Sequence, residues 1–203
     1  MIGSHRYRDA GQAFPIYITV VAGLLFLALA YLAVGQAAVN RSGAQTAADA
    51  AALAAAQNRR DQLVAKWVKD VLDPTKWQDD LDGKVPLGSS CWRADQLAAQ
   101  NDAKAQCDAP EPLTFTVTAT TNKSVGRSVV PGSENYYSTA SAMAVIEPLC
   151  EFELPGKGAG NSVLPRLTCK DRDWDLNPDN LTDLPGPEDL FDVHLADRQA
   201  NDA

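Results

Sequence analysis

Gly11-Gln-Ala-Phe-Pro-Ile-Tyr-Ile-Thr-Val-Val-Ala-Gly-Leu-Leu-Phe-Leu-Ala-Leu-Ala-Tyr-Leu-Ala-Val-Gly35 is the stretch on which the fold turns. No charged residue occurs between Asp9 and Arg41. A helix needs about 20 apolar residues, at 1.5 Å each, to cross a hydrocarbon core of about 30 Å. Residues 16–34 meet that requirement. Pro15 falls in the first turn, where a missing amide donor costs nothing. Tyr17 and Tyr31 stand near the two ends, where amphipathic rings favour the interface. A secretory signal has an apolar core of about 7–15 residues and a cleavage region after it. This core is longer and leads into more helical sequence, so an uncleaved anchor is expected.

The continuation is Ala44-Gln-Thr-Ala-Ala-Asp-Ala-Ala-Ala-Leu-Ala-Ala-Ala56. Alanine is the strongest helix former, and Gln45, Thr46, Asp49 and Gln57 add enough polarity to take the helix out of the bilayer. Val64, Trp67, Val68 and Val71 follow at spacings of three and four, an apolar stripe expected to pack on the chain's own C-terminal domain. Asp73-Pro74 ends the helix, because the residue before proline avoids the α region. For the alanine face, at Ala44, Ala48, Ala51 and Ala55, two partners stay open. Small side chains admit a close helix from another copy or a related protein, and the chain's own domain is the alternative.

Four cysteines, Cys91, Cys107, Cys150 and Cys169, all follow the apolar segment. An even count in a small Pro- and Gly-rich region predicts two disulfides in an oxidising compartment. Nearest-neighbour pairing, Cys91 with Cys107 and Cys150 with Cys169, would contribute on the order of 3 kcal/mol each. With His5, Arg6 and Arg8 before the span and only Arg41 close after it, the positive-inside bias is small but agrees. The N-terminus is expected in the cytoplasm and the cysteines outside.

The formal net charge of -8 argues against nucleic acid, which requires clustered Lys and Arg. No CxxC pair occurs, and no metal or cofactor is expected. No HExxH string or phosphate-binding glycine loop is present, and His194 has no evident nucleophile to activate, so no catalysis is expected. Asp171-Arg-Asp-Trp-Asp-Leu-Asn-Pro-Asp179 alternates oxygen-bearing side chains as a calcium loop does. Leu176 occupies the glycine position and Thr182 the glutamate position, which favours a solvated acidic loop.

The quoted segments together resemble the N-terminal region of TadE/TadG-like proteins of tight-adherence (Flp-type) pilus assembly, over about residues 9–57. The resemblance implies a single-span protein with an exported C-terminal region that builds or anchors a surface filament. Its partners would be the lipid bilayer and other pilus-assembly or pseudopilin-like proteins, itself included. Pilin-like precursors are cut after a glycine, so Gly11 and Gln12 are the candidate processing site. The fifth residue after Gly11 is Ile16 where such chains usually carry glutamate, which favours a membrane-retained accessory over a major pilin.

The expected fold is α+β and pilin-like: a long transmembrane-to-extracellular helix, then a small antiparallel sheet with disulfide-stapled irregular loops. The expected divisions are a cytoplasmic N-terminus (1–10), the transmembrane part of the helix (11–35) and its alanine-rich extracytoplasmic part (36–73). An exported α+β domain (74–154) and a Pro/Gly/Asp-rich acidic tail (155–203) follow. Within the domain, 93–105 reads as a helix, Leu113-Thr-Phe-Thr-Val-Thr-Ala-Thr-Thr121 as the clearest strand, and 127–130 and 136–146 as two more. Phe191, Val193 and Leu195 could dock as an edge element. Two further readings stay open. In one the helix serves only to anchor a module for an envelope partner, and in the other the chain is a processed minor pseudopilin.

Overall fold

A computed structural model of the chain describes residues 13–124, 135–154 and 164–196. Gly11, Gln12, the N-terminal charges, the strand expected at 127–130 and the glycines Gly156, Gly158 and Gly160 lie outside the described residues.

The apolar and alanine-rich stretches form one helix, α1 (Ala13–Asp70), of 58 residues, about 87 Å long at 1.5 Å per residue. It stops just before Asp73, and Pro74 opens a short 3-10 turn, Pro74–Lys76, that leads into α2 (Trp77–Leu81). Next come α3 (Cys91–Gln100), β1 (Ala103–Glu111), β2 (Thr114–Thr121) and β3 (Thr139–Pro148). The short strands β4 (Cys150–Phe152), β5 (Leu167–Cys169) and β6 (Asp173–Trp174) follow, then α4 (Pro187–Leu190) and β7 (Phe191–Leu195).

An antiparallel sheet in the order β1-β2-β3-β7 packs on the second half of α1, and a smaller sheet, β4-β5-β6, stands beside it. Alternation sets the faces. Phe115, Val117 and Ala119 of β2 and Ala144 and Ile146 of β3 are buried, while Thr116, Thr118 and Thr120 point the other way and Thr118 hydrogen-bonds Ser141 across the strands at 2.8 Å. β7 pairs Phe191, Val193 and Leu195 with Pro148, Ile146 and Ala144. The stretch expected as a tail thus supplies the last strand of the main sheet and two strands of the small one.

β3 runs in the direction of α1. Ala144 pairs with Phe115, and the Arg59 guanidinium lies 5.6 Å from the Phe115 ring centre. Beyond the end of β3, Phe152 meets Trp77 at 5.2 Å, and Trp77 Nε1 donates to the Asp70 carbonyl at 3.2 Å. The far end of the domain therefore sits by Asp70, and β3 begins at the end of the domain nearer the apolar half of the helix.

The helix expected over 93–105 ends at Gln100. Asn101 Nδ2 bonds the Leu97 carbonyl at 2.8 Å, and Asp102 takes a positive φ of 54°, a left-handed step that Asp tolerates and a helix cannot continue through. Residues 103–105 begin β1 instead.

Candidate functional site

Two halves of α1 have opposite environments. Residues 14–20 and 22–29 are exposed all round, and the 19-residue run Phe14–Leu32 has the length and composition to cross a membrane. Its one aliphatic hydroxyl is satisfied internally: Thr19 Oγ1 lies within hydrogen-bond distance of the Ile16 carbonyl at 2.8 Å and the Pro15 carbonyl at 3.1 Å. Such back-bonding satisfies a hydroxyl where no water is at hand. Tyr17 and Tyr31 are exposed near the two ends.

From Ala44 the helix enters the chain's own core. Ala44, Ala48, Ala51 and Ala55 are each 0% exposed, as are Ala47, Ala52 and Ala56. Of the two partners left open for this face, the described structure supplies the internal one. The reason is steric fit. The opposing strands also carry small residues, with Ala119, Ala140, Ala142 and Ala144 packed in the same core, so sheet and helix approach closely. Ala94 and Ala98 of α3 close another side, and Gln62 Nε2 reaches Ser90 Oγ at 3.0 Å.

The distal end is an aromatic joint. Trp67 and Trp77 are both 0% exposed, while Val68, the outer member of the expected stripe, is exposed. Beneath them lies Asp80, also fully buried. Neither of its carboxylate oxygens accepts a hydrogen bond among the described residues. Lys66 Nζ stands 3.6 Å away, too far for one, and is itself paired with Asp70. Burial pushes the Asp80 carboxyl above its ordinary value, and the Lys66 charge offsets part of the rise.

The cysteines pair as nearest neighbours. Cys91–Cys107 ties the start of α3 to β1, and Cys150–Cys169 ties β4 to β5 across a register pair. The acidic loop does not converge on a common point. Arg166 forms two bonds to Asp175, the shorter 2.7 Å, and Arg172 binds Asp183 at 3.1 Å while stacking over Trp174 at 3.9 Å.

His194, which showed no evident nucleophile in the sequence, has acidic neighbours in the fold. Pairing of β3 with β7 sets Asp192 opposite Glu147, and His194 Nδ1 lies 3.0 Å from Asp192, with Nε2 3.8 Å from Glu147. The ligand atoms of all three lie within 4.8 Å of one another. They form a solvent-facing cluster, legible only once the strand pairing is known. Among the described residues the imidazole's polar contacts are these two carboxylates.

Comparison with known families agrees with the resemblance. Residues 11–58 match a family model described as putative Flp pilus-assembly TadE/G-like. The match covers the membrane-length segment and the buried alanine run, and it stops before the domain they carry. No curated protein and no solved structure matches the chain.

Proposed function

We propose, from the match of residues 11–58 to the TadE/G-like pilus-assembly family, that this is a single-pass membrane protein supporting assembly or anchoring of a Tad-type pilus. The apolar half of α1 lies in the bilayer, the N-terminus in the cytoplasm and the disulfide-bonded domain outside the cell. Its role is structural, without catalysis, and its partners are other pilus-assembly components and the lipid itself.

The observation that carries this reading is the division of one unbroken helix. Phe14–Leu32 is apolar and uncovered, and twelve residues later on the same helix Ala44 is fully buried. A segment of that length exposed to water would be strongly unfavourable, since burial of apolar surface is worth roughly 25 cal/mol per Å2. With Ala44, Ala48, Ala51 and Ala55 covered by the domain, lateral packing against neighbouring helices falls to the residues before Ala44. Both disulfides support an oxidising location for the domain.

The test is intact-mass spectrometry of protein purified from membranes, joined to co-purification of pilus components. An anchor keeps its sequence ahead of Gly11 and brings pilus proteins with it. A new terminus at Gln12 overturns the anchor in favour of a processed pseudopilin. Retention in the membrane with no pilus component attached would instead favour a module for another envelope partner.

A further inference from the structure

We infer that Glu147, Asp192 and His194, on the outer face of the main sheet, form a binding site for a divalent transition-metal ion of the zinc class, which clamps β7 to β3. This does not depend on whether α1 spans a membrane.

The sheet builds the donor set. Phe191 is buried and Val193 and Leu195 pack against the core, so alternation puts Asp192 and His194 on the opposite face of β7. Register sets Glu147 directly opposite Asp192 and Val145 opposite His194. Glu147 and His194 are thus diagonal neighbours, a separation that long side chains can bridge. The ring offers a nitrogen to each carboxylate, Nδ1 at 3.0 Å from Asp192 Oδ2 and Nε2 at 3.8 Å from Glu147 Oε1. One ligand atom from each of the three lies within 4.8 Å of the others. Around a tetrahedral zinc, with bonds of about 2.0–2.2 Å, ligand atoms stand about 3.4 Å apart. Small rotations at the ends of these solvent-facing side chains close the remaining distance. All three donors rise from paired strands, so their backbones are held in place.

A separate observation also points to a cation. Like charges directly opposite across two strands are destabilising. Elsewhere on the domain acidic side chains are offset by a lysine or arginine: Asp102 by Lys123, Asp175 by Arg166 and Asp183 by Arg172. Among the described residues no lysine or arginine pairs with Glu147 or Asp192, and His194 is the one side chain paired with either. A divalent ion seated between the two carboxylates relieves their repulsion. The imidazole selects which ion. Calcium takes six to eight oxygens and magnesium an octahedron of them, whereas a ring nitrogen favours zinc and its neighbours in the transition series. Three protein ligands leave water a place in the zinc shell. The role is structural, because β7 is an edge strand with β3 on its one paired side, and the ion adds a link between them.

The experiment uses the full chain in detergent, without a histidine tag and stripped of metal with EDTA. Zinc chloride is then titrated in by isothermal calorimetry, and amide hydrogen exchange of residues 191–195 is followed with and without zinc. One zinc per chain is expected. Glu147→Gln and His194→Gln should each weaken binding by about tenfold or more, while His5→Gln, at the other histidine, should leave it unchanged. Exchange in β7 should slow with zinc in the native chain and not in the two site variants. No zinc bound, binding unchanged in either site variant, or binding lost in His5→Gln overturns the site. Calcium or magnesium slowing exchange as much as zinc does marks an adventitious ion only, held by surface acidity, and also overturns it. The exchange comparison in the native chain is decisive even where a variant folds poorly: β7 amides indifferent to zinc overturn the clamp.

Discussion

Trp67 on α1 and Trp77 on α2 meet with ring centres 5.3 Å apart and planes tilted by 54°. Phe152 adds a third ring against Trp77 at 5.2 Å. This joint fixes the distal end of the membrane-borne helix to the domain. Trp67→Ala should cost about 3–5 kcal/mol, the range for emptying a large aromatic site. Trp67→Phe should cost clearly less, since it keeps a ring and removes an Nε1 that has no partner among the described residues. Urea unfolding of the full chain in detergent checks both, and equal midpoints for the two variants would contradict the joint.

The buried alanine face makes a prediction opposite to that of a free helix surface. Ala51→Leu pushes added carbon atoms into a filled helix–sheet contact, and overpacking of this kind costs about 1–3 kcal/mol. Ala65→Leu on the exposed side of the same helix should change stability by less than about 0.5 kcal/mol. Thermal unfolding of the two variants side by side decides the matter. An unchanged midpoint for Ala51→Leu would mean the face is not closed by the sheet.

Asp80 gives the fold a pH dependence of known sign. Its folded carboxyl titrates above the ordinary value because burial disfavours the charge, so over that window the folded state holds more protons than the unfolded one. Stability attributable to this group is therefore present at low pH and is lost as pH rises from the unfolded carboxyl value, about 3.9, through the raised folded value. Asp80→Asn should flatten that part of the profile and raise the unfolding midpoint at neutral pH. A slope unchanged in the variant would show that other groups produce it.

Each disulfide should matter to a different region. In the loop-entropy model, sequence separations of 16 and 19 correspond to about 3 kcal/mol apiece. Replacing Cys150 and Cys169 together with alanine should expose the β4-β5-β6 sheet to limited proteolysis first. Replacing Cys91 and Cys107 should free α3 first. Cleavage maps that do not differ between the two double variants would argue against this division.

The parts of the fold set by local composition were legible beforehand. A run without charge identifies the membrane-length helix, and alternating threonines and apolar residues identify β2. β1 was not legible, because Ala-Lys-Ala-Gln-Cys-Asp-Ala-Pro-Glu has neither β-branched nor aromatic residues to favour a strand. It is a strand because seven of its residues pair with β2 and because the Cys91–Cys107 bond holds it beside α3. The partner of Ala48 and Ala51 was undecided for a related reason. Alanines admit any close surface, and only the tertiary fold supplies the alanine-rich β3 as that surface. The grouping of His194 with Glu147 and Asp192 likewise exists only through pairing of strands some forty residues apart in sequence.

The unbroken course of α1 makes it a lever. From Val34 to Asp70 the rigid arm is about 54 Å, and the Trp67–Trp77 joint clamps the domain at its far end. With no glycine or proline between Ala44 and Asp70, the domain is fixed to that half of the helix. A tilt of about 10° in the apolar segment sweeps the distal end sideways by roughly 9 Å. Force applied to the domain returns along the same arm to the apolar segment, so load on the one and orientation of the other are mechanically coupled.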